Sequence, residues 1–323
     1  MITGKQPNRV VRLVVSVALL TLLLLMIDWD GARVELAAIP LEFAIAAMAI
    51  FAIQFVISTW KWRASLFAHG VDIPFGFLLR TYCIGAYFSS FLPSNIGGDI
   101  YRAVRTSTYS SVPVAMLAVI LERLLGLVAL IVVGAVGVLW LLLSREWISM
   151  PSFAVLTVAM VSVYFALPVY VLNSLGKSEA WQRWIPTRLS AAGPGFRVLA
   201  SNKSRLIELL LACLVFQVVA TLAVALLFIA VGAPWLPAES AIANAAGSLA
   251  AILPVSINGI GVTEASFAGV ASRMGVDFTM AAVVSLLVRI LVLPLVLAFG
   301  VVYMFEAKVK PGDAAMIMET EKA

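Results

Sequence analysis

Apolar runs of about 20 residues, the length that crosses the hydrocarbon core of a bilayer, follow one another along the chain, and polar residues break two of them. The first break reads Phe91-Leu92-Pro93-Ser94-Asn95-Ile96-Gly97-Gly98-Asp99-Ile100-Tyr101-Arg102. The second reads Leu253-Pro254-Val255-Ser256-Ile257-Asn258-Gly259-Ile260-Gly261-Val262-Thr263-Glu264. Proline removes a backbone donor and a charge is costly in lipid. Irregular backbone survives at membrane depth only where protein or a water-filled cavity covers it. The two breaks are therefore expected to face each other inside a membrane protein and to form its working site.

Composition agrees with several spans. Of 323 residues, 63% are hydrophobic and 12% charged, whereas a soluble domain is about 45–50% apolar. The net charge of +5 is small. Its clustering in loops fits cytoplasmic loops better than nucleic acid, and no nucleic-acid partner is expected. Cys83 and Cys213 lie in apolar runs with no Cys-x-x-Cys or His-rich pattern, so they read as small buried hydrophobes. His69 is the single histidine, too few for a His-based metal site. No Gly-x-Ser-x-Gly elbow is present. No cofactor, metal or catalytic constellation is expected, and the chain does not read as an enzyme.

Residues 10–27 form the first candidate span. Lys5, Arg9 and Arg12 accompany it, but the small-residue exit of a cleavable signal is missing, so it reads as a signal anchor. Residues 28–35 read as an acidic loop. Residues 40–60 form a second span that ends at Lys61 and Arg63, with Trp60 and Trp62 suited to the interface belt. Residues 74–92 carry Arg80 and run into the first break. A short helix over 99–108 follows, with Ser94 or Asn95 as cap and Asp99 in its first turn, where the helix dipole favours a negative charge. The span over 113–143 carries Glu122 and Arg123, and 151–172 is the next. Residues 174–205 form a basic loop. Residues 206–231 are a clean span, and 240–253 lead into the second break. A short helix over 263–274 is expected to use Thr263 as cap and Gly275 as stop. The last span, 279–305, carries Arg289.

Basic residues mark the cytoplasmic side. If 74–92 crossed completely, the basic loop would land outside. Re-entrant insertion of 74–108 from inside and of 240–274 from outside removes that conflict. The expected fold is an all-α polytopic membrane protein. It has about six full transmembrane helices, each near the length a span requires, plus two broken re-entrant segments related as an inverted repeat. The chain is then one integral membrane domain over 1–323. Its first half is 10–173, the cytoplasmic loop 174–205 and the second half 206–305. Residues 306–323 form a flexible cytoplasmic tail, and both termini are inside. In each half an arginine lies about ten residues into the span after the break, roughly 15 Å deep at 1.5 Å per residue. Inverted repeats with broken helices meeting at the midplane are a transporter architecture.

The segment Phe91 to Asp99 followed by Arg102, the pair Glu122-Arg123, and the segment Leu253 to Gly261 followed by Glu264 resemble one family, the lysylphosphatidylglycerol synthase transmembrane region, also called the flippase-like domain family. The resemblance covers about residues 40–303. The family's best-known members join this region to a soluble aminoacyl-transferase domain, and the membrane region is credited with moving lipid between leaflets. Here 18 residues follow Phe305, so the resemblance implies lipid handling in a bacterial inner membrane rather than aminoacyl transfer. Implied partners are a phospholipid, hopanoid or polyprenyl-phosphate lipid, and a lipid- or glycan-modifying enzyme. A membrane-embedded enzyme, or a non-transporting partner of a synthase or glycosyltransferase docked through the basic loop, is the alternative.

A headgroup crossing the bilayer needs polar shelter, and the two breaks offer it. The expected headgroup residues are Ser94, Asn95, Gly97, Gly98, Asp99, Arg102, Glu122, Arg123, Ser256, Asn258, Gly259, Gly261, Glu264 and Arg289. The glycines would admit a ligand close to the backbone, and helix N-termini present N–H groups to an anion. Arg123 and Arg289 suit bidentate phosphate contacts. Asp99, Glu122 and Glu264 would pair with them when no cargo is bound, or hold a proton. An equally open role for Glu122, Arg123 and Arg289 is to lock helices as ion pairs. Arg80 and Arg105 suit cytoplasmic headgroups, and Tyr82, Tyr87 and Tyr101 suit packing or the interface.

Overall fold

The computed structural model describes residues 9–91, 96–177 and 203–306. All regular structure among them is α-helical. In order these helices are α1 Arg9–Met26, α2 Trp29–Ala38, α3 Leu41–Ala68, α4 Phe75–Phe91, α5 Ile96–Thr106, α6 Val112–Ser144, α7 Met150–Lys177, α8 Lys203–Ala230, α9 Pro237–Ile252, α10 Val262–Arg273 and α11 Phe278–Glu306. Leu, Val and Ala dominate the long ones, and Pro113, Pro151 and Pro237 fall in first turns, where a missing N–H costs nothing.

Among the described residues, five helices are long and apolar enough to cross a membrane: α3, α6, α7 over Met150–Val171, α8 and α11 over Phe278–Phe305. The apolar part of α1 is shorter, Leu13–Met26. Only 6% of the most apolar window of α7 is buried. A continuous exposed surface of that kind is untenable in water and ordinary against lipid.

The chain divides into two compact units. One comprises Met1–Ala52, Val133–Phe153 and Val218–Leu295, and the other Ile53–Val132, Ala154–Gln217 and Val296–Ala323. The core of the first gathers Leu23, Phe51, Leu227, Phe228, Phe267 and Val284, with Phe228 stacked on Phe267 at 6.1 Å between centroids. The second has one core around Leu125, Leu209, Leu210 and Tyr164, where the Tyr164 hydroxyl donates to the Leu210 carbonyl at 2.8 Å. A further core in that unit gathers Trp62, Leu66, Ile73, Leu78 and Val119.

Each unit contains one helical hairpin around one of the two breaks. In the second unit α4 packs on α5. The space a Cβ would take at Gly98 is filled by the Gly85 carbonyl and the Ser89 hydroxyl. In the first unit α9 packs on α10, so closely that a Cβ at Gly247 would stand 3.1 Å from the Thr263 carbonyl oxygen. The second break also rests on α1. Gly261, at φ +82°, leaves room for the α1 backbone at Ser16 and Leu20, and a Cβ there would stand 2.9 Å from the Leu20 nitrogen. Ser16 Oγ accepts the Ile257 N–H at 2.7 Å.

Several local expectations change. Residues 28–35 are not a loop: Asp28 accepts the Asp30 N–H at 3.2 Å and starts helix α2, the behaviour of an N-cap aspartate. The second span does not stop at Trp60 but runs to Ala68, ending at Gly70 with φ +79°. The N-cap of α10 is Gly261 rather than Thr263. The expected stop is present, with Gly275 at φ +100° just past Met274. The proposed caps Ser94 and Asn95, most of the basic loop and the tail beyond Glu306 lie outside the described residues.

Candidate functional site

The polar cluster of the second unit is built from α3, α5 and α6. Asp99 and Arg102 stand three residues apart on α5 and so share one face. Arg102 Nη2 donates to Asp99 Oδ1 at 2.7 Å, and Arg102 Nη1 to Glu122 Oε2 at 3.1 Å. The other oxygen of Asp99 takes Arg123 Nη2 at 2.7 Å. The other oxygen of Glu122 lies 3.6 Å from Lys61 Nζ. The result is a continuous chain, Arg123–Asp99–Arg102–Glu122–Lys61. Each carboxylate stands between two cations.

Burial grades this chain from inside to outside. The side chains of Arg102 and Glu122 are 5% and 4% exposed. Arg123, the outermost member, is 52% exposed. The Arg102 guanidinium lies over the rings of Tyr82 at 4.6 Å and Trp62 at 5.0 Å, and Lys61 Nζ over the Phe216 ring at 4.2 Å. The aromatic faces stabilise cations that have lost their water. Glu122 and Arg123 are neighbours in sequence but do not pair. Successive residues point about 100° apart on a helix of 3.6 residues per turn, so each meets a different partner.

The first unit holds a smaller arrangement. Arg289 Nε donates to Glu264 Oε1 at 2.6 Å, and Nη2 forms an ion-pair contact with the same oxygen at 2.6 Å. Glu264 Oε2 accepts the Gly261 N–H at 2.7 Å. Glu264 is 2% exposed and Arg289 39%. Ser256, Asn258 and Gly259 form the turn before the helix. Asn258 has φ +51°, a left-handed conformation that asparagine tolerates. Ser256 is buried, and its hydroxyl has no hydrogen-bond partner among the described residues.

Of the residues expected at the site, Asp99, Arg102, Glu122 and Arg123 come together in one unit, with Gly97 and Gly98 in the first turn of α5. Gly261, Glu264 and Arg289 come together in the other, beside Ser256, Asn258 and Gly259. Ser94 and Asn95 lie outside the described residues. The expected pairing of Arg123 and Arg289 with carboxylates is present at Asp99 and Glu264, while Glu122 pairs with Arg102 and Lys61. Three of the glycines have a packing use. Neighbouring helices occupy the space beside Gly98 and Gly261, and Thr263 and Ala251 fill that beside Gly259. These glycines serve helix packing.

Lys61, Trp62 and Tyr82 join the cluster without having been singled out for it. The Trp60-Lys61-Trp62 run resembles an interface belt, but it sits inside α3, and Trp62 is fully buried. The missing signal is the absence of any helix breaker before Gly70. Arg80 is exposed, and the Arg105 guanidinium is 5.7 Å from the Phe77 ring. Tyr101 is buried and packs against Phe88, with centroids 5.1 Å apart.

A family model described as the lysylphosphatidylglycerol synthase TM region matches residues 9–300. No curated protein and no solved structure matches the chain.

Proposed function

The chain belongs to the lysylphosphatidylglycerol synthase transmembrane-region family and is an integral membrane protein, and from this we propose that it moves an anionic or phosphate-bearing lipid between membrane leaflets. One observation carries the reading: the buried ionic chain from Lys61 to Arg123. An unpaired charge at the bilayer centre costs about 2.5–3.5 kcal/mol on insertion scales. Five charged side chains gathered in one apolar unit are therefore an expensive arrangement, typical of a polar pathway. Arg123 sits at its half-exposed end, where a headgroup phosphate takes the place of the Asp99 carboxylate. The guanidinium fork suits both partners equally.

The finer architecture belongs to the same proposal. The hairpins α4–α5 and α9–α10 are read as re-entrant segments of an inverted repeat, with six full spans, both termini cytoplasmic and the bacterial inner membrane as location. The repeat reading rests on register. In each half the short helix carries an acidic residue in its first turn. That residue pairs with the twelfth residue of the next helix, Arg123 in α6 and Arg289 in α11.

The test is leaflet exchange of fluorescent lipids in proteoliposomes, with phosphatidylglycerol and a polyprenyl phosphate as cargoes. Wild type is expected to exchange at least one of them. Asp99→Asn and Arg123→Ala are expected to reduce the rate about tenfold or more, the equivalent of about 1.4 kcal/mol, while remaining folded. Wild type that exchanges neither lipid overturns the proposal.

A further inference from the structure

We propose that the two ionic clusters do different jobs: the ligand's phosphate is held at Arg123 in the α3–α5–α6 cluster, whereas Glu264–Arg289 is a fixed lock on the second break. The phosphate-bearing ligand rests on the function proposed above. The division of labour rests on charge and on hydrogen-bond accounting within each unit.

Charge separates the clusters first. Among the described residues, Lys61, Arg102 and Arg123 share two carboxylates, Asp99 and Glu122. One formal positive charge is left over. Lys61 carries most of that surplus: its side chain is 9% exposed, and its one carboxylate contact, at 3.6 Å, is an ion pair beyond hydrogen-bond length. An additional anion neutralises this cluster. In the first unit, one arginine meets one carboxylate, and an additional anion there would be left uncompensated.

The consequences of displacement separate them again. When Arg123 turns from Asp99 to a phosphate, Asp99 keeps the 2.7 Å bond from Arg102. No buried carboxylate is stranded. When Arg289 leaves Glu264, a carboxylate that is 2% exposed keeps only the Gly261 N–H. A buried charge deprived of its partner is strongly unfavourable. Glu264 also ties three elements together: the turn at Gly261, α10 itself and α11. Exposure points the same way, at 52% for Arg123 and 39% for Arg289. Arg123 is the exchangeable cation and Arg289 the fixed one.

The experiment uses the full chain in neutral detergent micelles. Binding of dioctanoyl phosphatidic acid is measured calorimetrically against dioctanoylglycerol, with melting temperature followed in parallel. Wild type is expected to bind the phosphatidic acid and not the neutral lipid. Arg123→Gln is expected to weaken binding about tenfold, and Lys61→Met, which removes the surplus charge, about threefold or more. Arg289→Gln is expected to lower the melting temperature while weakening binding by less than about threefold. If that variant does not fold, Glu264→Gln/Arg289→Gln replaces the ion pair with an amide pair and is measured instead. Competition by inorganic phosphate identifies the phosphate group alone as the ligand. Binding that inorganic phosphate leaves unchanged identifies the lipid as a whole. Either result supports the Arg123 station.

Equal weakening by folded Arg123 and Arg289 variants overturns the division of labour. It leaves transport intact if both variants also lose leaflet exchange. Conversely, asymmetric binding in a protein that exchanges no lipid overturns transport and keeps the division.

Discussion

Arg102 holds two carboxylates at once, Asp99 at 2.7 Å and Glu122 at 3.1 Å, with its side chain 5% exposed. Its removal leaves Asp99 with only the half-exposed Arg123 and Glu122 with only Lys61 at 3.6 Å. Arg102→Gln is expected to destabilise the protein by about 3–5 kcal/mol, the usual loss on breaking a buried pair. Lys61→Met is expected to cost much less, because Glu122 keeps Arg102 and the methionine fills the same apolar space. Thermal unfolding in detergent checks the order, and a Lys61 variant less stable than the Arg102 variant contradicts it. Much of this cluster was legible in the sequence. Asp99, Arg102, Glu122 and Arg123 stand out as charges in apolar surroundings, and their cost in lipid forces them together. Lys61 was not legible. A lysine between two tryptophans at the end of an apolar run has the composition of a membrane interface, and only the fold shows that α3 continues past it. The glycines were legible as necessary, but a sequence does not say that a neighbouring helix takes the space beside Gly98 and Gly261.

The hairpins depend on these glycines. A Cβ at Gly98 meets the Gly85 carbonyl and the Ser89 hydroxyl at impossible distance, whereas a Cβ at Gly269 on α10 meets nothing within 4 Å. Gly98→Ala is expected to force α4 and α5 apart, costing about 1–3 kcal/mol or more as overpacking does, and to displace Asp99 with them. Gly269→Ala is expected to be neutral or stabilising through helix propensity. Melting temperatures of the two variants decide this, and a well-folded Gly98→Ala protein refutes the tight crossing. The short helices were legible through their Pro and Gly breaks and their acidic first turns. Helix α2 was not: its mixed polarity reads as a loop, although Asp28 already supplied a cap. The start of α10 moved from Thr263 to Gly261 because Glu264 reaches back to the Gly261 N–H, a closure set by side-chain geometry rather than residue type.

For the molecule as a whole, lipid replaces water as the medium against which its surface is stable. Helix α7 shows this most plainly, since Val158 is 65% exposed in a continuous apolar face. Val158→Arg is expected to raise the cost of membrane insertion by about 2.5–3.5 kcal/mol, while Val158→Leu is expected to be silent. The yield of membrane-integrated protein measures the difference, and equal yields refute a lipid-facing α7. Five of the six expected spans are present as long apolar helices, because run length and hydropathy alone define such helices. The shorter α1 leans on other elements instead. Its Ser16 bonds to Ile257 across 241 positions of chain, and the N–H of Asp28, just beyond it, bonds to Thr279 across 251. At roughly 5–20 residues per second, synthesis of 241 residues takes roughly 12–48 s. During that interval α1 exists without the turn it will clamp. Biogenesis therefore includes a long-lived stage in which the first helix waits for the last third of the chain.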